Sequence, residues 1–256
     1  MIDELMILAG LSQALLWQAF VVFLRVGAMA SLLPAFGEQS VPARVKLGIA
    51  LAFTIIISPA VPSIPEPMSA PQVAGLMLAE IVTGLFLGLM LRLFVLILQI
   101  AGSIAAQSTS LSQIFGGAGV DPMPAMGHML LIGGLALATM MGLHVQIATY
   151  MIYSYDMVPI GQVIPRDALS MAGIERVSHA FALGFTLAAP FVIASLLYNV
   201  ILGVINKAMP QLMVAFVGAP AITAGGLILL MLSAPIMLSI WVEALGRFMA
   251  NPFGGP

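Results

Sequence analysis

The chain has 256 residues, of which 61% are hydrophobic and 7% charged, and ten acidic against eight basic side chains leave a net charge of −2. Soluble domains draw about 25% of their residues from the charged types, so a soluble enzyme, a disordered chain and, without a basic stripe, a nucleic-acid binder are excluded. What remains is an integral membrane protein or a chain buried among partners, and with no cysteine it has no disulfide, thiolate metal site or thiol nucleophile.

In chain order, Met1-Ile2-Asp3-Glu4 is acidic and runs straight into apolar sequence, unlike a leader with a basic n-region, so the start is expected to be retained. Charge-poor stretches follow at about 12–34, 44–64, 73–98, 127–152, 178–206 and 211–245. Each approaches or exceeds the ~20 residues that cross a bilayer. In lipid the backbone must satisfy itself, which makes these stretches helices and the fold all-α. Pro42, a proline run from Pro59 to Pro71, a Gly/Ser-rich loop expected at about 102–126 and a polar stretch at 154–177 separate them.

The positive-inside rule gives no orientation, because Arg166, Arg176 and Arg247 on one side balance Arg44, Lys46 and Lys207 on the other. Arg25, Glu80 and Arg92 fall inside spans, where a charge costs about 2.5–3.5 kcal/mol even on the lenient scale. These stretches are therefore expected to pack partly against protein, with Arg25 and Glu80 pairing across helices. Pro190, Pro220 and Pro235 invite kinks. Gly84 with Gly88, and Gly184 with Ala188, form small-xxx-small pairs that permit close helix approach.

Catalytic patterns are weak. His128, His144 and His179 are scattered and form no H-E-x-x-H. Tyr155-Asp156 and Gly117-Ala118-Gly119-Val120-Asp121 superficially match an intramembrane aspartyl protease, but the Gly-to-Asp spacing is one residue too long and neither carboxylate lies within a span. Gly116-Gly117-Ala118-Gly119 lacks the lysine of a P-loop. The segment 102–126 holds one charge in 25 residues, which suits neither open solvent nor lipid. A buried or lumen-facing loop, anchored by Leu111, Ile114 and Phe115, fits it better. No cofactor is expected.

Arg25-Val26-Gly27, Ser40-Val41-Pro42-Ala43-Arg44-Val45-Lys46-Leu47-Gly48, Gly102-Ser103 through Gln107, Leu111-Ser112, Asp121-Pro122, Val158-Pro159-Ile160-Gly161 and Asn199 through Pro220, including Asn206-Lys207 and Met209-Pro210-Gln211-Leu212, follow one another in a familiar order. Over about residues 15–245 this pattern resembles the FliR family of flagellar biosynthetic proteins and its virulence-system relatives. The resemblance implies a non-enzymatic core subunit of the type III export gate. Its partners would be FliP-like and FliQ-like subunits, with FlhB-like and FlhA-like proteins beside them, in the bacterial inner membrane at the flagellar basal body. Unfolded flagellar proteins would be the cargo.

The same resemblance implies a FliP-like part at 1–177 and a FliQ-like helical hairpin at 178–256, packed in a helical assembly. It also implies a plug segment from about Gln107 to Val120, with Gln107, Ser110, Leu111, Ser112, Ile114, Phe115, Gly116, Gly117 and Gly119 as gate residues. Arg25, Pro42, Arg44, Lys46, Asp121, Pro122, Pro159, Gly161, Asn199, Asn206, Lys207, Pro210 and Gln211 are its signature positions. A virulence-system gate subunit and a small-molecule transporter are the alternatives; the transporter would need a midplane polar site on broken helices.

Overall fold

The computed structural model describes residues 2–38, 40–64, 69–109, 125–209 and 214–252, and among them every regular element is helical. The helices are α1 (Ile2–Ala30), α2 (Ala43–Ile57), α3 (Ala70–Thr109), α4 (Ala125–Met140), α5 (Leu143–Met157), α6 (Arg166–Ala208) and α7 (Val214–Ala250), with a 3-10 turn at Ser58–Ala60. Five of the helical stretches are long and apolar enough to cross a membrane, and α4 with α5 make a sixth if the bent pair counts as one span. The fold is that of an all-α membrane protein.

Local chemistry sets the boundaries. Pro42 caps α2 from extended backbone (φ −58°, ψ 144°), where its missing N–H costs nothing. Between α1 and α2 the chain doubles back through Ala35 at φ 66°, and the Gly37 N–H donates to the Leu33 carbonyl at 2.7 Å. A side chain at Gly37 would strike the Ser31 and Leu33 backbone within 2.8 Å, so only glycine fits this turn.

Two expectations change. The segment 102–126 is not a loop throughout: residues 102–109 continue α3, and 125–126 open α4. The Ser108 hydroxyl donates to the Ile104 carbonyl at 2.7 Å, and the Thr109 hydroxyl donates to Ala105 at 3.1 Å, so these polar side chains turn back onto their own helix. The stretch 127–152 is likewise two helices, α4 and α5, with a break at Met141-Gly142. Gly142 sits there at φ +82°. Pro190, Pro220 and Pro235 lie inside α6 and α7, both of which continue as helices past them.

The chain divides into two compact units. One comprises residues 1–92, 141–175 and 246–255; the other comprises 93–140, 176–245 and 256. In the first, α2 packs on α1 and α5, and Val22, Met29, Leu33, Ile57, Leu91 and Tyr150 are fully buried. The Gln18 side-chain amide ties α1 to the 3-10 turn, donating to Ser58 O at 2.7 Å and Val61 O at 3.1 Å. In the second, Val95, Leu98, Ala101, Phe191 and Trp241 form the buried centre. The Trp241 indole N–H donates to the Phe94 carbonyl at 2.7 Å. Gly184 of α6 lies so close to α3 that an added Cβ would stand 2.9 Å from Ile100 Cγ2.

Candidate functional site

The first unit contains a buried charge cluster. On α1, Val21, Val22, Arg25, Val26 and Met29 recur at three- and four-residue steps, which puts Arg25 in the middle of the buried face. On α3, Ala79, Glu80, Thr83 and Leu87 do the same for Glu80. The helices can meet because Gly84 lies one turn beyond Glu80: a Cβ there would collide with the Arg25 carbonyl oxygen, and one at Gly88 would stand 2.9 Å from the Met29 carbonyl.

Arg25 and Glu80 are both wholly inaccessible to solvent. Arg25 Nε donates to Glu80 Oε2 at 2.8 Å and Nη2 donates to Oε1 at 3.0 Å, a two-pronged pair. Arg25 Nη1 donates to the Ser154 carbonyl at 3.0 Å and the Val158 carbonyl at 2.9 Å. Those acceptors stand at the C-terminal end of α5, where a helix has unsatisfied carbonyls and a partial negative charge. The guanidinium carbon also lies 4.0 Å from the centre of the Tyr155 ring. Glu80 Oε1 accepts the Gly161 N–H at 2.9 Å, presented by a backbone at φ +74°. One cation, one anion, the C-terminal end of α5 and the Gly161 N–H are thus matched, as burial of charge requires.

This arrangement gives physical content to two sequence motifs. Val158-Pro159-Ile160-Gly161 supplies a carbonyl to Arg25 and an N–H to Glu80. The pairing of Arg25 with Glu80 follows the sequence expectation, whereas the backbone partners from α5 onward were not legible, because a main-chain acceptor carries no residue signature. Arg92 also finds a partner in its own chain: Nη1 lies 2.6 Å from Glu38 Oε1, at a half-buried position. Beside it, Lys46 Nζ donates to the Gly37 carbonyl at 2.9 Å.

The other signature residues lie elsewhere. Pro42 and Arg44 are exposed at the start of α2, Pro159 is exposed after α5, and Asn206 and Lys207 are exposed in the last turn of α6. Asn199 donates to the Ser195 carbonyl within α6 at 2.8 Å. Gln107 is exposed on α3. Ser110, Leu111, Ser112, Ile114, Phe115, Gly116, Gly117, Gly119, Asp121, Pro122, Pro210 and Gln211 lie outside the described residues. Asp156 is exposed near the end of α5, and Asp121 lies outside the described residues, so no paired carboxylate site is placed.

An all-α chain with membrane-length apolar helices and a sealed internal ion pair defines a class of polytopic membrane protein. Residues 16–248 match the family described as bacterial export proteins, family 1, and the chain belongs to that family. It is 32% identical over 229 residues to the flagellar biosynthetic protein FliR of Caulobacter vibrioides, covering 88% of this chain and 91% of that protein. It is 29% identical over 220 residues to FliR of Escherichia coli K12 (84% and 83% covered), and 25% identical over 236 residues to FliR of Bacillus subtilis (88% and 89%). The motif resemblance and the comparison converge on a membrane protein of flagellar biosynthesis and export.

Proposed function

We propose that this chain is a core subunit of the flagellar type III export gate and helps to build the channel through which unfolded flagellar proteins leave the cell. The observation that carries this reading, beside the family, is the apolar surface left uncovered on α6. Only 11% of that helix's apolar span is buried within the chain. Phe181, Phe185, Leu196, Val200 and Val204 are each 58–64% exposed. A helix apolar on every side is covered by lipid or by other subunits, and an export complex supplies both.

In this reading residues 1–177 form a FliP-like part and 178–256 a FliQ-like hairpin, made by α6 from residue 178 onward and α7. The partners are FliP-like and FliQ-like subunits, with FlhB-like and FlhA-like proteins alongside, in the inner membrane at the basal body. The segment from Gln107 to Val120 closes the channel at rest. The transporter alternative loses support because Arg25 and Glu80, its best candidates for a substrate path, neutralise each other out of reach of solvent.

Native mass spectrometry of the tagged chain, co-expressed with its FliP-like and FliQ-like neighbours, tests the assembly. A complex holding this chain with several copies of each partner is expected. A chain that stays alone or pairs with itself overturns the reading. For the plug, deletion of residues 110–119 is expected to leave assembly intact and raise ion conductance across the membrane; unchanged conductance removes the plug role.

A further inference from the structure

In the second unit the two ends of the connection between α3 and α4 are held together. On α3, Leu98, Gly102, Ala105 and Thr109 recur at three- and four-residue steps and all are buried. On α7, Ile222, Gly226 and Leu230 do so at four-residue steps. Thr109 ends α3, Ala125 opens α4, and these two helices touch close to those ends. A Cβ added at Gly102 would collide with the Gly127 Cα and stand 2.8 Å from the Gly127 nitrogen. Nearer the connection, Met126 Sδ lies 3.8 Å from Thr109 Oγ1, and both residues are buried. With its ends side by side, a connection of 15 residues at up to about 3.6 Å each reaches no further than roughly 27 Å from Thr109. Where Thr109 sits therefore decides what the connection can touch.

Thr109 in turn rests on α7. Its hydroxyl donates to the Ala105 carbonyl at 3.1 Å, and its methyl group faces Gly226. A Cβ added at Gly226 would collide with Thr109 Cγ2 and stand 2.7 Å from Thr109 Cβ. The adjacent Gly225 differs, since nothing lies within 4 Å of a Cβ added there. Helix propensity disfavours glycine at both positions alike. The close approach of Thr109 demands it at Gly226 alone.

We propose that Thr109 and Gly226 are positioning residues, whose contact pins both ends of the 110–124 connection to α7 and so sets where that connection can reach. The consequence for the channel rests on the plug reading; the pinning itself does not.

The chain has no cysteine, so Ser110→Cys introduces a single thiol directly beside the contact. The full chain, in membranes with its co-purifying subunits, is labelled with a maleimide, and ion conductance is measured on the same preparations. Gly226→Ala overpacks the contact and is expected to raise both the labelling rate and the conductance about fivefold or more, the low end of an overpacking penalty written as a ratio. Gly225→Ala makes the same change in propensity and is expected to alter neither. Thr109→Ala removes the contact without any collision and should act as Gly226→Ala does, which keeps the test decisive if Gly226→Ala does not fold. Thr109→Val keeps a methyl group against Gly226 and should label and conduct like the wild type. Equal labelling of the Gly225→Ala and Gly226→Ala chains overturns the pinning, as does a Thr109→Ala chain that labels like the wild type. If deletion of residues 110–119 raises conductance and neither Gly226→Ala nor Thr109→Ala does, the plug reading stands and the positioning role falls. If the deletion leaves conductance unchanged, the plug reading falls, and the labelling rates alone decide the pinning.

Discussion

Helices α3 and α6 are the longest in the chain, at 40 and 43 residues, and both are apolar enough to cross a membrane. Yet 67% of the apolar span of α3 is buried within the chain, against 11% for α6. Apolar composition commits both to leave water but does not say what replaces it. The distinction lies in their small and charged residues. On α3, Gly84 and Gly88 meet the backbone of α1, and Glu80, one turn before Gly84, meets Arg25. On α6, Gly173 and Gly203 face open space, with nothing within 4 Å of an added Cβ. The next two glycines after the buried charge on α3 meet another helix's backbone, whereas on α6 Gly184 alone meets α3 and Gly173 and Gly203 are left uncovered by their own chain.

Three substitutions probe this contrast, beginning with the largest effect. Glu80→Ala leaves Arg25 buried without its anion and is expected to cost about 3–5 kcal/mol. Thermal unfolding in detergent and the steady-state level of the chain in membranes report it. Replacing both Arg25 and Glu80 with methionine should cost less than Glu80→Ala alone, because no charge is then stranded. Exchanging the two residues is expected to rescue nothing: a carboxylate at position 25 would face the Ser154 and Val158 carbonyls, which can only accept. A swap that restored stability would show that the backbone contacts contribute little.

Next in size is Gly84→Ala, expected to destabilise by about 1–3 kcal/mol because the obstacle is backbone and cannot move aside cheaply. The matching Gly203→Ala on α6 should stabilise the isolated chain by up to about 1 kcal/mol through helix propensity alone. If Gly203→Ala also weakens co-purification of the partner subunits, α6 is covered by protein at that point; if it does not, lipid covers it there. The smallest loss of stability is expected for Trp241→Phe, which deletes the bond to the Phe94 carbonyl in the second unit and should cost about 0.5–1.5 kcal/mol, since that carbonyl lies inside α3 and keeps its place in the helix. An unchanged melting temperature would mean that α7 is held there by packing alone.

Much of this was legible in the sequence. The apolar stretches gave the helices, and the pairing of Arg25 with Glu80 followed from the cost of an intraspan charge and the scarcity of carboxylates to meet it. Three things were hidden. Residues 102–109 read as loop because Gly, Ser and Thr favour turns, yet their hydroxyls bond back into α3 and Gly102 faces Gly127 across a close helix contact. The break between α4 and α5 falls at Gly142 and not at a proline, because a left-handed residue can interrupt a helix as well as a missing N–H does. Glu38, the partner of Arg92, sits in an aperiodic connection where no pattern points to it.

The Arg25 cluster also has a consequence for how the chain is made. Arg25 is synthesised 55 residues ahead of Glu80 and 133 ahead of Val158. At a translation rate of about 5–20 residues per second, roughly 3–11 s pass before its anion exists and roughly 7–27 s before its last carbonyl does. Throughout that interval α1 carries an unmatched cation, whose insertion penalty is about 2.5–3.5 kcal/mol. The first helix is thus a poor anchor when it emerges. Its buried charge is matched only when α3 and the end of α5 have arrived, so the final seating of α1 is settled by several helices together.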